Sequence, residues 1–169
     1  MTESEALRQK HKPSEISVLF VGESPPAGGT FFYAANSNLF HATAGAFAQV
    51  FGSDVPSGEG FLEFFRQKRC FLDDLCLEPV NHMTTSDRKR ARKAGEKPLA
   101  ARLQAYKAMA VVAVPMSVQP HLADALVLAG LVRTPAYSLP FPAMGHQRRF
   151  ANELVALLRE LGAKGVFRP

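Results

Sequence analysis

Apolar and polar positions along this chain switch repeatedly between two periods. Ile16–Val21 is a continuous, partly β-branched apolar run, the pattern of a strand buried on both faces. From Asn38 the period changes: Phe40, Ala44, Phe47 and Phe51 fall on one helical face, and Gly52 closes the segment. Ser57 is placed to cap a second helix over Glu59–Lys68, and Cys70–Leu77 (CFLDDLCL) reads as the next strand. Leu99, Leu103 and Tyr106 return to helical spacing before Met109–Val114, the clearest strand of the chain. A helix over Pro120–Ala129 stops at Gly130, a short strand covers Ala136–Leu139, and the loop LPFPAMGH leads into an amphipathic helix, Gln147–Leu161. Residues 1–14 read as a flexible N-terminal arm and 15–169 as a single domain.

Strands alternating with helices predict an α/β fold, a three-layer α/β/α sandwich around a mainly parallel four-stranded central sheet. Ligands in such sheets bind beyond the carboxyl ends of the strands. Three loops fall there: GESPPAGGTFFY, LEPVNH and LPFPAMGHQRR. They are expected to converge on one edge.

Composition narrows the picture. A 169-residue chain with 47% hydrophobic residues can bury a core of its own. No run approaches the roughly 20 apolar residues that span a bilayer, so no membrane partner is expected. The polar start, MTESEALRQKHKP, carries no signal-peptide pattern, and a cytoplasmic location and a monomeric state are expected. Cys70 and Cys76 alone are too few for a zinc or iron–sulfur site, which points to reduced thiols with no metal and no cofactor. The net charge of +5 leans towards polyanionic partners. Residues 82–97 hold six Lys/Arg against two acids, and read either as a solvated surface segment or as a phosphate contact.

The loops carry the candidate chemistry. Glu23, one residue past Gly22, can activate a water or bind a cation or hydroxyl, or can simply cap backbone amides. It does not belong to a phosphate loop, because no Lys-Ser/Thr follows the glycines. Phe31, Phe32 and Tyr33 offer flat faces on which a planar base gains roughly 1–3 kcal/mol, or else they are core. Alternation lets only one of Asp73 and Asp74 face the loop side, where it can bond the edge of a base. Asn81 is either a second such group or a turn residue. His146 can stabilise a developing anion, and Arg148 and Arg149 at a helix start suit a phosphate.

Together these loops resemble the uracil-DNA glycosylase superfamily. Its first motif, Gly-x-x-Pro at a strand end, matches Gly22-Glu23-Ser24-Pro25. AGGTFFYAANSNLF resembles the segment that follows in the mismatch-specific uracil/thymine branch, with Tyr33 at the base-stacking aromatic and Asn38 and Phe40 at its Asn-x-Phe. Glu23 matches the Gly-Glu of the iron–sulfur branch, where a glutamate is implicated in the water step, although that branch's four cysteines are missing here. The late loop resembles the second motif, His-Pro-Ser-Pro, through Pro140 and Pro142, but Leu139 stands at the histidine position.

The resemblance implies base flipping and hydrolysis of the N-glycosidic bond of uracil, or another deaminated base, in DNA during base excision repair. Glu23 and His146 become the catalytic pair, with His146 replacing the missing histidine. Gly22, Ser24, Pro25, Phe32, Tyr33, Asn38, Asp74 and Asn81 become base-binding. Ser24 stands where some branches have Asp or Asn. Asp74 falls near an asparagine that reads uracil; its carboxylate accepts from N3–H but repels O4. Met144 takes the wedge position, and Gln147, Arg148, Arg149, Arg88, Lys89 and Arg90 contact DNA. Two rivals remain: a nucleic-acid-binding module of this fold without catalysis, and a hydrolase or transferase of free nucleosides or nucleotides.

Overall fold

The computed structural model describes residues 1–167. Four parallel strands, β1 (Val18–Gly22), β2 (Cys70–Asp74), β3 (Ala110–Ala113) and β4 (Ala136–Ser138), form one sheet in the order β2-β1-β3-β4. Helix α1 (Glu3–Lys10) precedes β1, α2 (Asn38–Phe51), α3 (Gly60–Gln67), α4 (Thr85–Tyr106) and α5 (Gln119–Ala129) connect the strands, and α6 (Gln147–Ala163) follows β4. The predicted α/β sandwich is therefore the observed one, with every strand parallel.

Strand alternation builds the layers. Phe20 of β1 meets Phe65 of α3, on the side where Phe32, Phe40, Phe47 and Phe61 interlock with ring centroids 5.3–5.8 Å apart. Each tilted or edge-on pair adds about 0.5–1.5 kcal/mol to its buried area. On the opposite face Phe71 of β2 meets Tyr106 of α4. Helices α2 and α6 pack together, as do α4 and α5, which gives the two outer layers. A Cβ at Gly95 would lie 2.6 Å from the Leu75 carbonyl oxygen, so glycine there lets α4 lie close against the chain leaving β2.

Two segments depart from the sequence reading. Residues 1–14 are no loose arm: Thr2 caps α1 by accepting from the Glu5 amide, and Arg8 is only 1% exposed. The basic segment within 82–97 is the first half of the 22-residue α4, capped by Thr84. Helix periodicity is faint there because most of α4 is polar and only Glu96, Leu99, Ala100 and Leu103 are buried. Smaller differences lie at the ends: β2 stops at Asp74 rather than Leu77, and α3 begins at Gly60 without a side-chain cap from Ser57.

The open edge of β2 is covered rather than left to solvent. The Tyr33 hydroxyl accepts from the Leu72 amide (2.7 Å) and donates to the Leu72 carbonyl (3.0 Å). One side chain thus satisfies both outward backbone groups of an edge-strand residue. His11 stacks on the Tyr33 ring, 5.7 Å between centroids and 6° between planes.

Candidate functional site

The chain runs from β1 outward to β2, then crosses back to β3 on the other side of β1. The strand order therefore reverses between β1 and β3, and the crevice beyond their carboxyl ends is where such a sheet binds ligands. Two adjoining cavities occupy it. One, about 290 Å³, is walled by Phe31, Phe32 and Phe141 and reaches Leu72 and Asp74 at its base, with Asn38 at the start of α2 on its rim. The second, about 480 Å³, holds Glu23, Gly22, Asn81 and Arg88 together with Val114 and Pro115 of the β3 exit. Ser24, Pro26, Leu39, Asp74 and Phe141 line both, so the two are lobes of one cleft. The smaller lobe lies at the low end of the roughly 300–1,000 Å³ found for small-molecule pockets, a size for a single flat ring system.

Backbone bonds fix the loops that shape the cleft. The Leu75 and Cys76 amides donate to the Gly22 and Glu23 carbonyls, each at 2.8 Å. Ser24 Oγ accepts from the Val80 amide (3.2 Å), and Asn81 Oδ1 accepts from the Ala27 amide (3.2 Å). Asn36 closes the glycine-rich turn by accepting from the Phe31 amide (2.8 Å) and donating to the Gly29 carbonyl (3.0 Å). The first and second loops are thus stapled together before any ligand arrives.

Two carboxyls face this cleft, and their surroundings differ. Glu23 is gripped by α4: Arg88 Nε donates to Oε2 at 2.9 Å, Arg88 Nη2 reaches Oε1, and Arg92 bonds Oε2. Burial acts to raise its pKa, but the two guanidiniums outweigh it and hold the carboxylate below its ordinary range. Asp74 is sealed more deeply. Burial pushes its carboxyl up to about 7, with the Arg8 guanidinium pulling the other way and Asp73 adding to the rise. Asp73 lies on the opposite face, bonded to Arg102 Nε (2.8 Å) and the Tyr106 hydroxyl (2.9 Å). Of the two neighbouring aspartates, Asp74 is the one turned to the cleft.

The other sequence-predicted residues divide by position. Gly22, Glu23, Ser24, Pro25, Phe32, Asn38, Asp74 and Asn81 all line the cleft, as the loop convergence predicts. Tyr33 does not: it is 2% exposed and its hydroxyl is committed to the β2 edge, and it is Phe31 and Phe32 that line the smaller lobe. Arg88 faces inward to Glu23 rather than outward to a phosphate, whereas Lys89 and Arg90 beside it are exposed. His146 is an exposed residue before α6 that lines neither lobe, so the structure does not bring it to Glu23. Leu139, at the motif histidine position, is buried core.

Because every strand is parallel, the helices that follow β2 and β4 begin on the cleft side of the sheet. Lys89 and Arg90 of α4 and Gln147, Arg148 and Arg149 of α6 lie near those helix starts and are all exposed, but none of them lines either lobe, and Arg149 borders a separate groove with Met116 and Tyr137. Arg149 is partly occupied by Glu153, 2.8 Å away. Met144 is 95% exposed with φ 53° and projects from the loop that carries Phe141.

Arg8, Arg92 and Phe141 are site residues that the sequence pattern does not single out. The helix that carries Arg8 has a signal, since Thr2-x-x-Glu5 is a capping-box spacing, but that spacing does not mark Arg8 as the side chain turned inward. Arg92 lies one helical turn after Arg88, a spacing that matters only once α4 is known to be a helix. Phe141 is a lone aromatic between two prolines, with no periodicity to mark it. Among the described residues no cluster of His, Cys, Asp or Glu is placed to hold a metal ion, and no helix is long and apolar enough to cross a membrane. Compared with models of known protein families the chain matches none. No curated protein sequence matches it either.

Proposed function

We propose that this chain is a DNA glycosylase that hydrolyses the N-glycosidic bond of uracil or another deaminated base, working without a metal. The observation that carries this reading is the two-lobed cleft: a lobe lined by Phe31, Phe32 and Phe141 adjoins a lobe that contains an ionised Glu23. A base flipped from the duplex stacks in the first lobe, and its sugar carbon then lies towards the second.

Bond cleavage leaves positive charge on the sugar and negative charge on the base. Glu23 meets the first need. Its charge is fixed by Arg88 and Arg92, so it acts by electrostatic stabilisation and by orienting water rather than as a strong base. Oε1 receives a hydrogen bond from Arg88 alone and keeps a lone pair for that water. Asn38 and the first-turn amides of α2 are the donors nearest the base in this reading, in place of His146. The exposed cations at the starts of α4 and α6 hold the flanking phosphates, and Met144 fills the space the base leaves.

The experiment is incubation of the purified chain with labelled single- and double-stranded oligonucleotides carrying uracil, hypoxanthine or xanthine, scored for abasic product. Glu23→Gln is expected to lower turnover by about 100-fold or more while leaving DNA affinity in place. One observation favours a second reading, a binding module without catalysis: the Glu23 carboxylate is already occupied by two arginines. Salt-sensitive oligonucleotide binding with no base released from any substrate would establish that alternative.

A further inference from the structure

Arg8 belongs to the helix that the sequence disguises as a polar arm, yet it is among the most deeply buried side chains of the fold. It wraps the edge of β2. Nη2 bonds Asp74 Oδ2, Nη1 bonds Glu5 Oε2 at 2.6 Å, and Nη1 stands 3.8 Å from Asp73 Oδ1. Its guanidinium carbon lies 5.7 Å from the centre of the Phe31 ring, one wall of the smaller lobe. The other Asp74 oxygen, Oδ1, has no hydrogen-bond partner among the described residues. A Cβ on Gly22 would lie 2.4 Å from that oxygen, so glycine at the end of β1 is what gives it room beside the cleft.

We propose that Arg8 is a positioning residue that sets the polarity of the cleft floor: by holding Asp74 Oδ2 it leaves Oδ1 as a lone acceptor, selecting a flat heterocycle that presents a ring N–H there. The inference rests on the cleft being a base-binding site, but not on any bond being broken in it. A carboxylate has only acceptors, so a ring N–H pairs with Oδ1, whereas a bare ring nitrogen would set two lone pairs against each other. Mispairing at a buried polar atom is costly enough to separate otherwise similar ligands by about tenfold or more.

Arg8 has only donors to offer, which makes its role separable from packing. In Asp74→Asn the amide oxygen turns to Arg8 and the NH₂ group turns to the cleft. The floor then donates, and the preference moves to a ring with an acceptor nitrogen. The test is equilibrium binding to the full chain at pH 8 of 2′-deoxyuridine, with a ring N–H at N3, and of the 2′-deoxyriboside of pyrimidin-2-one, with a bare N3 and no exocyclic amine that could donate to Oδ1 in its place.

The wild type is expected to favour deoxyuridine by about tenfold or more, and Asp74→Asn to reverse that order. Arg8→Met combined with Asp74→Asn frees the amide to flip and is expected to bind both nucleosides alike. That double variant leaves no unpaired buried charge of the pair, so it remains measurable even if Arg8→Met alone does not fold. Equal affinities in the wild type, no saturable binding of either nucleoside, or an unchanged order in Asp74→Asn each overturn the proposal. Base release from oligonucleotides is a separate measurement: the nucleoside preference can hold with no excision, and excision can occur with no such preference.

Discussion

Glu23 and Asp74 leave neighbouring strands at almost the same height, since Gly22 pairs in register with Asp74. The fold nevertheless treats their carboxyls in opposite ways. Glu23 meets two guanidiniums on a helix whose outer half is in water, and Arg88 and Arg92 keep it ionised. Asp74 meets one guanidinium in a sealed corner, and burial brings its carboxyl near 7. One acid is held as a fixed charge while the other is left close to the point where its charge can change. A charge-stabilising role suits the first and a recognition role suits the second, because hydrogen-bond polarity depends on protonation.

The largest expected effect comes from taking away the counter-charge on the Asp74 side. Arg8→Ala leaves Asp73 and Asp74 buried together with Arg102 as the nearer remaining cation. Loss of one member of a buried ionic group costs about 3–5 kcal/mol, a large part of the stability of a domain this size. Urea denaturation at pH 7 measures it. A loss below about 1 kcal/mol would mean that Arg8 is not the partner that holds this corner, and the contrast between the two acids would fail.

A smaller effect is expected where the two acids meet. Gly22→Ala sets a methyl group 2.4 Å from Asp74 Oδ1, and the carboxyl must shift. Crowding of this kind costs about 1–3 kcal/mol. The shift should also weaken nucleoside binding while Glu23, on the far side of Gly22, keeps its arginines. Heteronuclear NMR of the arginine Nε–H groups separates the two: the Arg8 signal moves and those of Arg88 and Arg92 stay. Movement of all three would show that the two acids form one unit.

How far this pair could be read from sequence depends on which signals periodicity carries. Ile16–Val21 and Phe40–Phe51 declare themselves, and β1 and α2 form where the apolar spacing places them. The convergence of the loops also follows from parallel topology, which is why most of the proposed lining residues do line the cleft. Partners that reach a site from a polar helix are a different matter. Arg8, Arg88 and Arg92 stand among many charged neighbours, and nothing in spacing alone tells an inward arginine from a solvated one. Tyr33 fails for a related reason: adjacency to Phe31 and Phe32 says nothing about which ring turns to the open edge of β2. Phe40, matched by the Asn-x-Phe resemblance, is simply core.

The smallest effect is expected on the Glu23 side. Glu23→Gln removes a charge whose two partners are themselves 37% and 22% exposed, so water can take over much of their solvation. About 1 kcal/mol is expected at pH 7, within the range for half-exposed ion pairs. Its pH dependence gives the sharper reading. The folded pKa of Glu23 lies below the ordinary 4.5, so its contribution is present above that value and is lost as pH falls through the folded pKa. Asp74 runs the other way: with a folded pKa near 7 against an ordinary 3.8, its contribution is complete below 3.8 and is lost as pH rises through 7. Chemical denaturation across pH 3–8 should therefore show Glu23→Gln converging on the wild type at the acid end. Asp74→Asn should instead lose the decline in stability that the wild type shows towards pH 7. Two curves of the same slope would mean that the acids share one electrostatic environment, and neither the fixed charge at Glu23 nor the poised carboxyl at Asp74 would survive as a distinct role.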